Sequence, residues 1–252
     1  MTSRIDRERP IQRIALVTGG GRNIGRAIAL ELASWGADVG VLVRSDGAEA
    51  SGVADEVRAL GRRAVAAIAD VRDESAVGAA ADRVREELGP LNVLVHAAAV
   101  RSEAPFLELS RDQWREIVDV IVDGAFFTSR EVLPDMIEAG WGRIVMIGGL
   151  SGQTGATHRA HVVTAKAALV GLTKALALEF AASNITVNTV SPGMIDTIRA
   201  GEEPKHHDER RIPVGRKGRP SEVAATVRFL VSDEAAFITG QTVNVNGGLL
   251  CQ

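Results

Sequence analysis

Short apolar runs alternate with helical patterns along almost the whole of this chain, and this alternation is what most constrains its fold. Runs nearly continuous in Val, Ile, Leu and Ala are typical of parallel strands that are covered on both faces. The predicted strands are Arg13–Thr18, Asp38–Arg44, Arg63–Ala67, Leu91–His96, Gly142–Ile147, Thr186–Ser191 and Thr242–Val245. Because parallel strands need crossover connections, the pattern predicts an α/β fold with a doubly wound parallel sheet of seven strands.

The segments between the strands have the spacing of helices that cover both faces of such a sheet. The predicted helices are Ile24–Trp35, Ala48–Leu60, Ser75–Leu88, Ser110–Ala139, Arg159–Phe180 and Pro220–Leu230. Glycine follows several of them, as at Gly36 and Gly89, where a left-handed residue ends a helix without steric cost. The sequence predicts one domain over residues 1–252. The long irregular stretch Gly193–Lys217 is predicted to be a substrate loop or lid.

Composition excludes several classes of function. A net charge of -3 provides no basic surface for nucleic acid. From the sequence, we expect no apolar stretch that approaches the roughly 20 residues of a membrane span. The histidines in Lys205–Arg211 lie among charges, which favours a solvated segment over a metal site. We therefore expect a cytoplasmic protein with a small-molecule substrate, no metal, and neither nucleic acid nor membrane as a partner.

A glycine-rich turn follows the first predicted strand directly. The residues are Thr18-Gly19-Gly20-Gly21-Arg22-Asn23-Ile24-Gly25, and a helical pattern begins at their end. Such a turn lets the backbone approach a pyrophosphate, and the helix behind it presents free N–H groups and a positive dipole end. A glycine motif by itself is a weak signal.

Further segments make the chain resemble the short-chain dehydrogenase/reductase family over residues 11 to 250. They are Asp70-Val71, Ser191–Thr197 with its Pro192-Gly193 turn, and Phe237–Gly248. The resemblance implies a Rossmann-type fold, a homotetramer or homodimer, and a bound dinucleotide. The residues implied to hold the dinucleotide are Gly19, Gly21, Arg22, Asn23, Ile24, Gly25, Arg44, Ser45, Asp70, Val71, Ala97, Lys166, Pro192, Gly193 and Ile195.

The end of the second strand favours NADP over NAD. A carboxylate at this point accepts from the ribose 2′-hydroxyl of NAD, whereas arginine accommodates the 2′-phosphate of NADP. Here the strand ends in Arg44-Ser45, and no acid occurs before Asp46. Arg22 lies where the family places another contact to the 2′-phosphate. Two solvated arginines are the competing interpretation.

The resemblance also implies a catalytic asparagine, serine, tyrosine and lysine, and only the lysine is retained, as Lys166. The asparagine falls on Ile121, the serine on Gly149 and the tyrosine on Val162. The chain contains no tyrosine at all. The strand-end signature is also altered, because Val95-His96-Ala97-Ala98-Ala99 stands where the family has asparagine-asparagine-alanine-glycine.

Two other residues are candidates to join Lys166 in catalysis. His158, Val162 and Lys166 recur at four-residue steps, so they share a face if the helix extends back to His158. Ser151 follows Gly149 on the same side of the chain if that segment is extended. Ordinary loop positions are the competing interpretation for both. We expect packing or an interface role for His161, and a hydrogen-bonding role in place of asparagine for His96.

Three functions remain open from the sequence. The first is an NADP-dependent oxidoreductase that transfers hydride to a group needing little protonation on oxygen, such as an imine or a conjugated C=C. The second is a non-redox isomerase, dehydratase or cyclase. The third is a catalytically silent protein that binds the dinucleotide. The intact glycine turn favours nucleotide binding, and the missing donors disfavour an ordinary alcohol dehydrogenase.

Overall fold

The computed structural model describes residues 12–198 and 211–251. It contains one parallel seven-stranded sheet in the order β3-β2-β1-β4-β5-β6-β7, which confirms the predicted fold class. The strands are β1 (Ile14–Thr18), β2 (Asp38–Val43), β3 (Ala64–Ile68), β4 (Val93–His96), β5 (Gly142–Ile147), β6 (Ile185–Pro192) and β7 (Thr242–Val245).

Helices cover the two faces of the sheet in separate layers. The helices are α1 (Asn23–Ser34), α2 (Gly47–Ala59), α3 (Glu74–Leu88), α4 (Arg111–Val118), α5 (Gly124–Ala139), α6 (Ser151–Thr154), α7 (Ala160–Phe180) and α8 (Pro220–Val231). Side chains of α1, α2 and α8 build one apolar core, and those of α3, α4, α5 and α7 build the other. The central strands are therefore buried on both sides, as their continuous apolar sequences require.

The predicted helix Ser110–Ala139 is divided, which corrects the sequence interpretation. Ser110 caps α4 in a reciprocal capping box with Gln113, as its position at the start of the pattern predicts. A π-helical turn over Asp119–Asp123 then separates α4 from α5. Such turns change the helical phase locally and are frequent at functional sites. Hydrophobic spacing does not reveal the turn, because the apolar residues continue through it.

The segment after β5 also differs from expectation. Residues Ser151–Thr154 form the short helix α6, and Leu150 before it already has helical backbone angles. The chain is therefore not extended at Ser151. The helix α7 begins only at Ala160, because His158 adopts a left-handed conformation with φ of 59°.

Only parts of the predicted loop Gly193–Lys217 lie within the described residues. Gly193–Ile198 leaves the sheet beyond β6, and Ile195 forms an isolated parallel bridge with Gly218. Residues 199–210, which include His206 and His207, lie outside the described residues, so the interpretation of that histidine pair stays a prediction.

One segment of the described chain has the length and apolar composition to cross a membrane, contrary to the sequence expectation. It is Ala160–Ser183, which comprises α7 and the turn after it, and 39% of its most apolar window is buried. Here α7 packs against β6 and contributes Val162, Ala165 and Leu169 to the core. Core helices commonly share this composition, so the segment is weak evidence for a membrane span.

The turn between β1 and α1 depends on a missing side chain. A Cβ added to Gly25 would stand 2.0 Å from the carbonyl oxygen of Gly19, far inside van der Waals contact. Glycine at this position therefore lets α1 pack directly on the turn that precedes it. The helix N-terminus is held close to the backbone of Gly19 and Gly20 as a result.

We expect Gly25→Ala to reduce the free energy of unfolding by about 1–3 kcal/mol, because backbone must move to admit the methyl group. Gly52→Ala is the matched control, since Gly52 lies inside α2 with no atom within 4 Å of an added Cβ. Alanine there should add about 0.5–1 kcal/mol through helix propensity. Urea titration measures both, and equal effects of the two substitutions would contradict this account.

Candidate active site

A cavity of about 1030 Å³ opens at the carboxyl ends of the strands, where the order of the sheet reverses between β1 and β4. Ligands bind at this position in doubly wound sheets. The structure brings every predicted site residue to this cavity, those for the dinucleotide and those for catalysis alike. The lining includes Gly19, Gly21, Arg22, Asn23, Ile24, Gly25, Arg44, Ser45, Asp70, Val71, Ala97, Ser151, His158, Lys166, Pro192, Gly193 and Ile195.

The glycine turn forms a cradle of bare backbone along this cavity. Gly19 has φ of 65°, and a Cβ there would lie 3.0 Å from the backbone of Ala97. Gly193 faces Asn246 in the same way, with 2.8 Å to its Cα. Asn23 adopts φ of 51°, and its amide pairs with the backbone N–H and carbonyl of Ile198. A backbone cradle at a helix N-terminus fits a pyrophosphate, so the residues present fit a dinucleotide.

Charged side chains surround the outer end of the cradle. Arg22 and Arg44 are exposed on its rim, and Arg22 lies 3.9 Å from Glu49. The carboxylate of Asp46 accepts from the N–H groups of Ala48 and Glu49, so it serves as the N-cap of α2. Two exposed guanidinium groups, with Asp46 engaged as a helix cap, suit a phosphate better than a ribose hydroxyl.

Asp70 is engaged within the protein. Its carboxylate accepts from the backbone N–H and the guanidinium of Arg72. These hydrogen bonds, opposed by partial burial, hold the pKa of Asp70 below its usual value. Asp70 therefore presents a fixed carboxylate at the edge of the cavity.

Lys166 lies at the inner end of the cavity. Its side chain is 8% exposed, and its Nζ donates to the carbonyl oxygen of Ile147 at the end of β5, at 2.6 Å. Burial, reinforced by the charges of Arg101 and Arg159, lowers the pKa of Lys166 to about 7. The ammonium is thus held by one carbonyl and has no described carboxylate in contact.

The wall beside Lys166 is apolar. Gly149 lines the cavity, and a Cβ there would have only Lys166 Cγ nearby, at 3.9 Å. Val162, one turn before Lys166 on α7, lines the cavity with 2% of its surface exposed. Ile121 is wholly buried in the core, and Val120 of the π-helical turn lines the cavity instead. Ile121, on which the family's asparagine position falls, therefore does not line the cavity, because the π-helical turn shifts the helix phase.

His158 and Ser151 reach the cavity by routes other than those predicted. His158 is exposed and precedes α7, so it does not share a helix face with Val162 and Lys166. Its carbonyl accepts from the N–H of Ala104, which fixes the loop. Ser151 is half-buried at the start of α6. Both residues line the cavity, but neither shows a described hydrogen bond from its side chain to a catalytic partner.

His96 ends β4 in a buried hydrogen-bonded position, in agreement with the expected replacement of asparagine. Its Nδ1 lies 3.2 Å from Thr18 Oγ1 and 3.3 Å from Thr128 Oγ1. Complete burial, followed by the charge of Lys166, lowers the pKa of His96 to about 3. The neutral ring therefore links β1, β4 and α5 behind the cavity.

Sequence reasoning missed one pair of polar residues. Ser102, on the loop after β4, lines the cavity, and its Oγ lies 2.7 Å from Nε2 of His161 at the start of α7. His161 is fully buried, as a packing role requires, but its side chain also contacts a residue that lines the cavity. The two residues are 59 positions apart, and no motif links them. Only the tertiary fold brings them together.

Comparisons with known proteins agree with this architecture. A family model described as enoyl-(acyl carrier protein) reductase matches residues 19–250. The 3-oxoacyl-[acyl-carrier-protein] reductase FabG of Pseudomonas aeruginosa is 39% identical over 241 residues, covering 94% of this chain and 97% of the relative. Its counterpart from Escherichia coli K12 is 37% identical over the same length and the same shares.

A crystal structure from Sinorhizobium meliloti 1021, assigned to the short-chain alcohol dehydrogenases, superposes with a TM-score of 0.90. It shares 36% sequence identity, and the match covers 94% of this chain and 96% of that structure. Family model, relatives and fold agree over nearly the whole length. The chain belongs to the short-chain dehydrogenase/reductase family of oxidoreductases.

Proposed function

We propose that this protein is an NADP-dependent oxidoreductase whose active site departs from the family pattern. Its substrate accepts or gives a hydride at a group that needs little protonation on oxygen, such as an imine or a conjugated C=C. The proposal rests on one observation. Lys166 occupies the cavity beside Gly149 and Val162, neither of which has a polar side chain to hold or protonate a substrate oxygen.

The cofactor assignment rests on the cradle and its charges. The backbone around Gly19 and Gly193 would hold the pyrophosphate, while Arg22 and Arg44 would hold the 2′-phosphate. Lys166 would donate to the nicotinamide ribose. When bound, the nicotinamide supplies or accepts the hydride. The relatives are named as reductases, which supports hydride transfer from the cofactor to the substrate. Their names do not identify the cofactor.

The apolar wall limits proton transfer to oxygen. A positioned proton donor contributes about 10²–10⁴-fold to a rate, and one oxyanion donor contributes about 10²–10³-fold. Both are missing at Gly149 and Val162. Lys166, with its pKa near neutral, keeps only part of its charge at neutral pH. We infer that simple ketones, which need a proton on oxygen, are poor acceptors.

The relatives indicate which acceptors deserve testing. The matching family model is named for an enoyl substrate, which carries a conjugated C=C, and the curated relatives are named for 3-oxoacyl substrates. An enoyl thioester fits the proposed chemistry better than a 3-oxoacyl thioester, because its reduction places no proton on a carbonyl oxygen. The acceptor panel should therefore contain enones, enoyl thioesters, imines and ketones.

The preference for NADP leads to a prediction about binding. NADPH should bind at least about tenfold more tightly than NADH, a difference of about 1.4 kcal/mol. Arg44→Ala should weaken NADPH binding by about tenfold and leave NADH binding unchanged, because only the 2′-phosphate loses a charge-assisted hydrogen bond. Calorimetry measures both, with Arg83→Ala on the exposed surface of α3 as the control. Equal affinities for the two cofactors in the wild type would refute the preference.

The missing proton and hydrogen-bond donors lead to a prediction about ketone reduction. The wild-type protein with NADPH should reduce simple ketones little, and Gly149→Ser combined with Val162→Tyr should raise that rate at least about 10²-fold. The space at Gly149 admits a serine, and a phenol at position 162 would stand one helical turn before Lys166. Each single variant is a control that should gain much less, since members of one catalytic unit act together.

Cofactor oxidation with the whole panel separates the three functions. Turnover of an enone, enoyl thioester or imine supports the proposal. NADPH binding without conversion of any compound favours the silent binding protein. Conversion of a compound with no change in the cofactor favours the non-redox enzyme. Rapid wild-type reduction of ketones, near the ordinary enzyme rate of about 10 s⁻¹, would contradict the proposed chemistry.

The exposed apolar side chains lead to a prediction about the oligomeric state. We propose a homo-oligomer, most simply a tetramer, because α5 and α7 expose large apolar side chains. Phe126 and Ile137 on α5 are each 47% exposed, and Leu178 on α7 is 85% exposed. Sedimentation velocity should give a species larger than the 26.6 kDa monomer, and Leu178→Glu should shift it toward smaller species. Monomeric wild-type protein at micromolar concentration would contradict the assignment.

A further inference from the structure

A serine and a histidine form a pair at the cavity that none of the family positions accounts for. Ser102 Oγ lies 2.7 Å from His161 Nε2, a normal distance for a strong hydrogen bond. Ser102 is half-buried and faces the cavity, whereas His161 has no exposed surface. Val162, which lines the cavity next to Lys166, directly follows His161 on α7. A group on the cavity wall is thus backed by a titratable group that substrate cannot reach.

The surroundings keep the imidazole of His161 neutral. Burial, followed by the charge of Arg159, lowers the pKa of His161 below its ordinary value of 6.5. His161 also lies in the first turn of α7, where the positive end of the helix dipole disfavours a cation. Arg101 and Glu103 flank Ser102 in the chain, and Lys166 adds a further positive charge to the cavity.

A neutral imidazole can accept a proton from the serine. A base at this position needs the tautomer with its proton on Nδ1, and that Nδ1 is buried with no hydrogen-bond partner among the residues the structure describes. In that tautomer Nε2 is the acceptor and the Ser102 hydroxyl is the donor. The lone pairs of Ser102 Oγ then remain available to a group in the cavity. This arrangement is that of a general base acting through a hydroxyl.

We propose that Ser102 and His161 transfer the proton that accompanies hydride transfer in this site. Ser102 contacts the substrate, and His161 stores the proton behind it. The proposal rests on the proposed oxidoreductase function and identifies the residues that move the proton there. It also explains how the site works without a tyrosine.

In the oxidative direction the substrate is an amine. The proton of its N–H bond passes to Ser102 Oγ as the Ser102 proton passes to His161 Nε2. The adjacent C–H bond breaks, and its hydride would pass to the oxidised cofactor. The products are a C=N group, the reduced cofactor and a His161 imidazolium. Reduction is the reverse and consumes the imidazolium.

The protonation state of His161 gives this pair a preferred direction. Oxidation needs the neutral ring, so its rate should rise as pH rises through the pKa of His161. Reduction needs the imidazolium, so its rate should fall over the same interval. Because the pKa lies below the ordinary value, the pair at neutral pH is prepared to accept a proton. The slow reduction of ketones that we predict at neutral pH agrees with this state.

The experiment combines kinetics with a readout independent of turnover. The kinetic probes are 2-methylpyrrolidine with NADP⁺ and the corresponding imine, 2-methyl-1-pyrroline, with NADPH, measured from pH 5 to pH 9. Ser102→Ala removes the relay, Ser102→Thr keeps the hydroxyl, and Ser51→Ala on the exposed face of α2 is the control. Nitrogen-15 NMR of the full-length protein reports the tautomer and the titration of His161. Equal NADPH affinity among variants shows that the fold is intact.

We expect Ser102→Ala to slow oxidation at least about 10²-fold and to remove the rise attributed to His161, while Ser102→Thr retains most of the rate. Burial also lowers the pKa of Lys166, so a pH dependence that remains in Ser102→Ala is not assigned to His161. The NMR spectrum should show Nδ1–H at neutral pH and a displaced Nε2 resonance in Ser102→Ala. Oxidation by Ser102→Ala at the wild-type rate would overturn the proposal.

Failure of the proposed function gives a different result. If the wild type binds no NADPH, or binds it and turns over no probe or panel member, the oxidoreductase assignment fails and the catalytic role of the pair fails with it. The NMR result then decides whether the proton-accepting geometry exists at all. A ring protonated on Nε2 at neutral pH, or an Nε2 resonance unchanged in Ser102→Ala, overturns the pair whatever the protein catalyses.

Discussion

Burial of parallel strands on both faces is the constraint on which the rest of this structure depends. A strand such as β1, buried at every residue, needs a layer of helices on each side. The crossovers that supply those layers bring every strand end and the following loop to one edge of the sheet. The cavity is formed there, and its position follows from the reversal of strand order between β1 and β4.

The cavity has two chemically different ends. Its outer end carries bare backbone and exposed arginines, which remain hydrated until they meet an anion. Its inner end is buried, and burial acts on each titratable group in the same sense. Lys166, His96 and His161 all have lowered pKa values, because desolvation penalises the cationic form. The structure thus places neutral or partly charged bases beside the proposed site of hydride exchange.

Glycine has a different role at each end. At Gly25 and Gly19 the absent side chain permits backbone to approach backbone, and substitution forces a steric conflict. At Gly149 the absent side chain leaves open space beside Lys166. The first kind of glycine maintains the architecture of the nucleotide end. The second leaves the chemical end without a side chain at that position, which is compatible with a well-formed family fold around the atypical reaction site that we propose.

The sequence by itself determined the order of the seven strands along the chain, their two-sided burial and most helix limits, because hydrophobic periodicity and glycine positions are local properties. It also determined which residues surround the cavity, through motifs that lie directly after strands. The resemblance implied that Lys166 is retained and that Gly149 and Val162 stand at the positions of the family's serine and tyrosine.

Only the tertiary structure decided the features that depend on the rotational phase of a helix or on contacts between residues far apart in the sequence. The π-helical turn at Asp119–Asp123 leaves the apolar pattern intact yet turns Ile121 into the core and Val120 toward the cavity. The left-handed residue His158 separates that histidine from α7, although its spacing fits a helix. The contact between Ser102 and His161 joins loop and helix across 59 positions, and no periodicity can encode such a distance. Local patterns specify elements, whereas the chemistry of the site depends on how those elements meet.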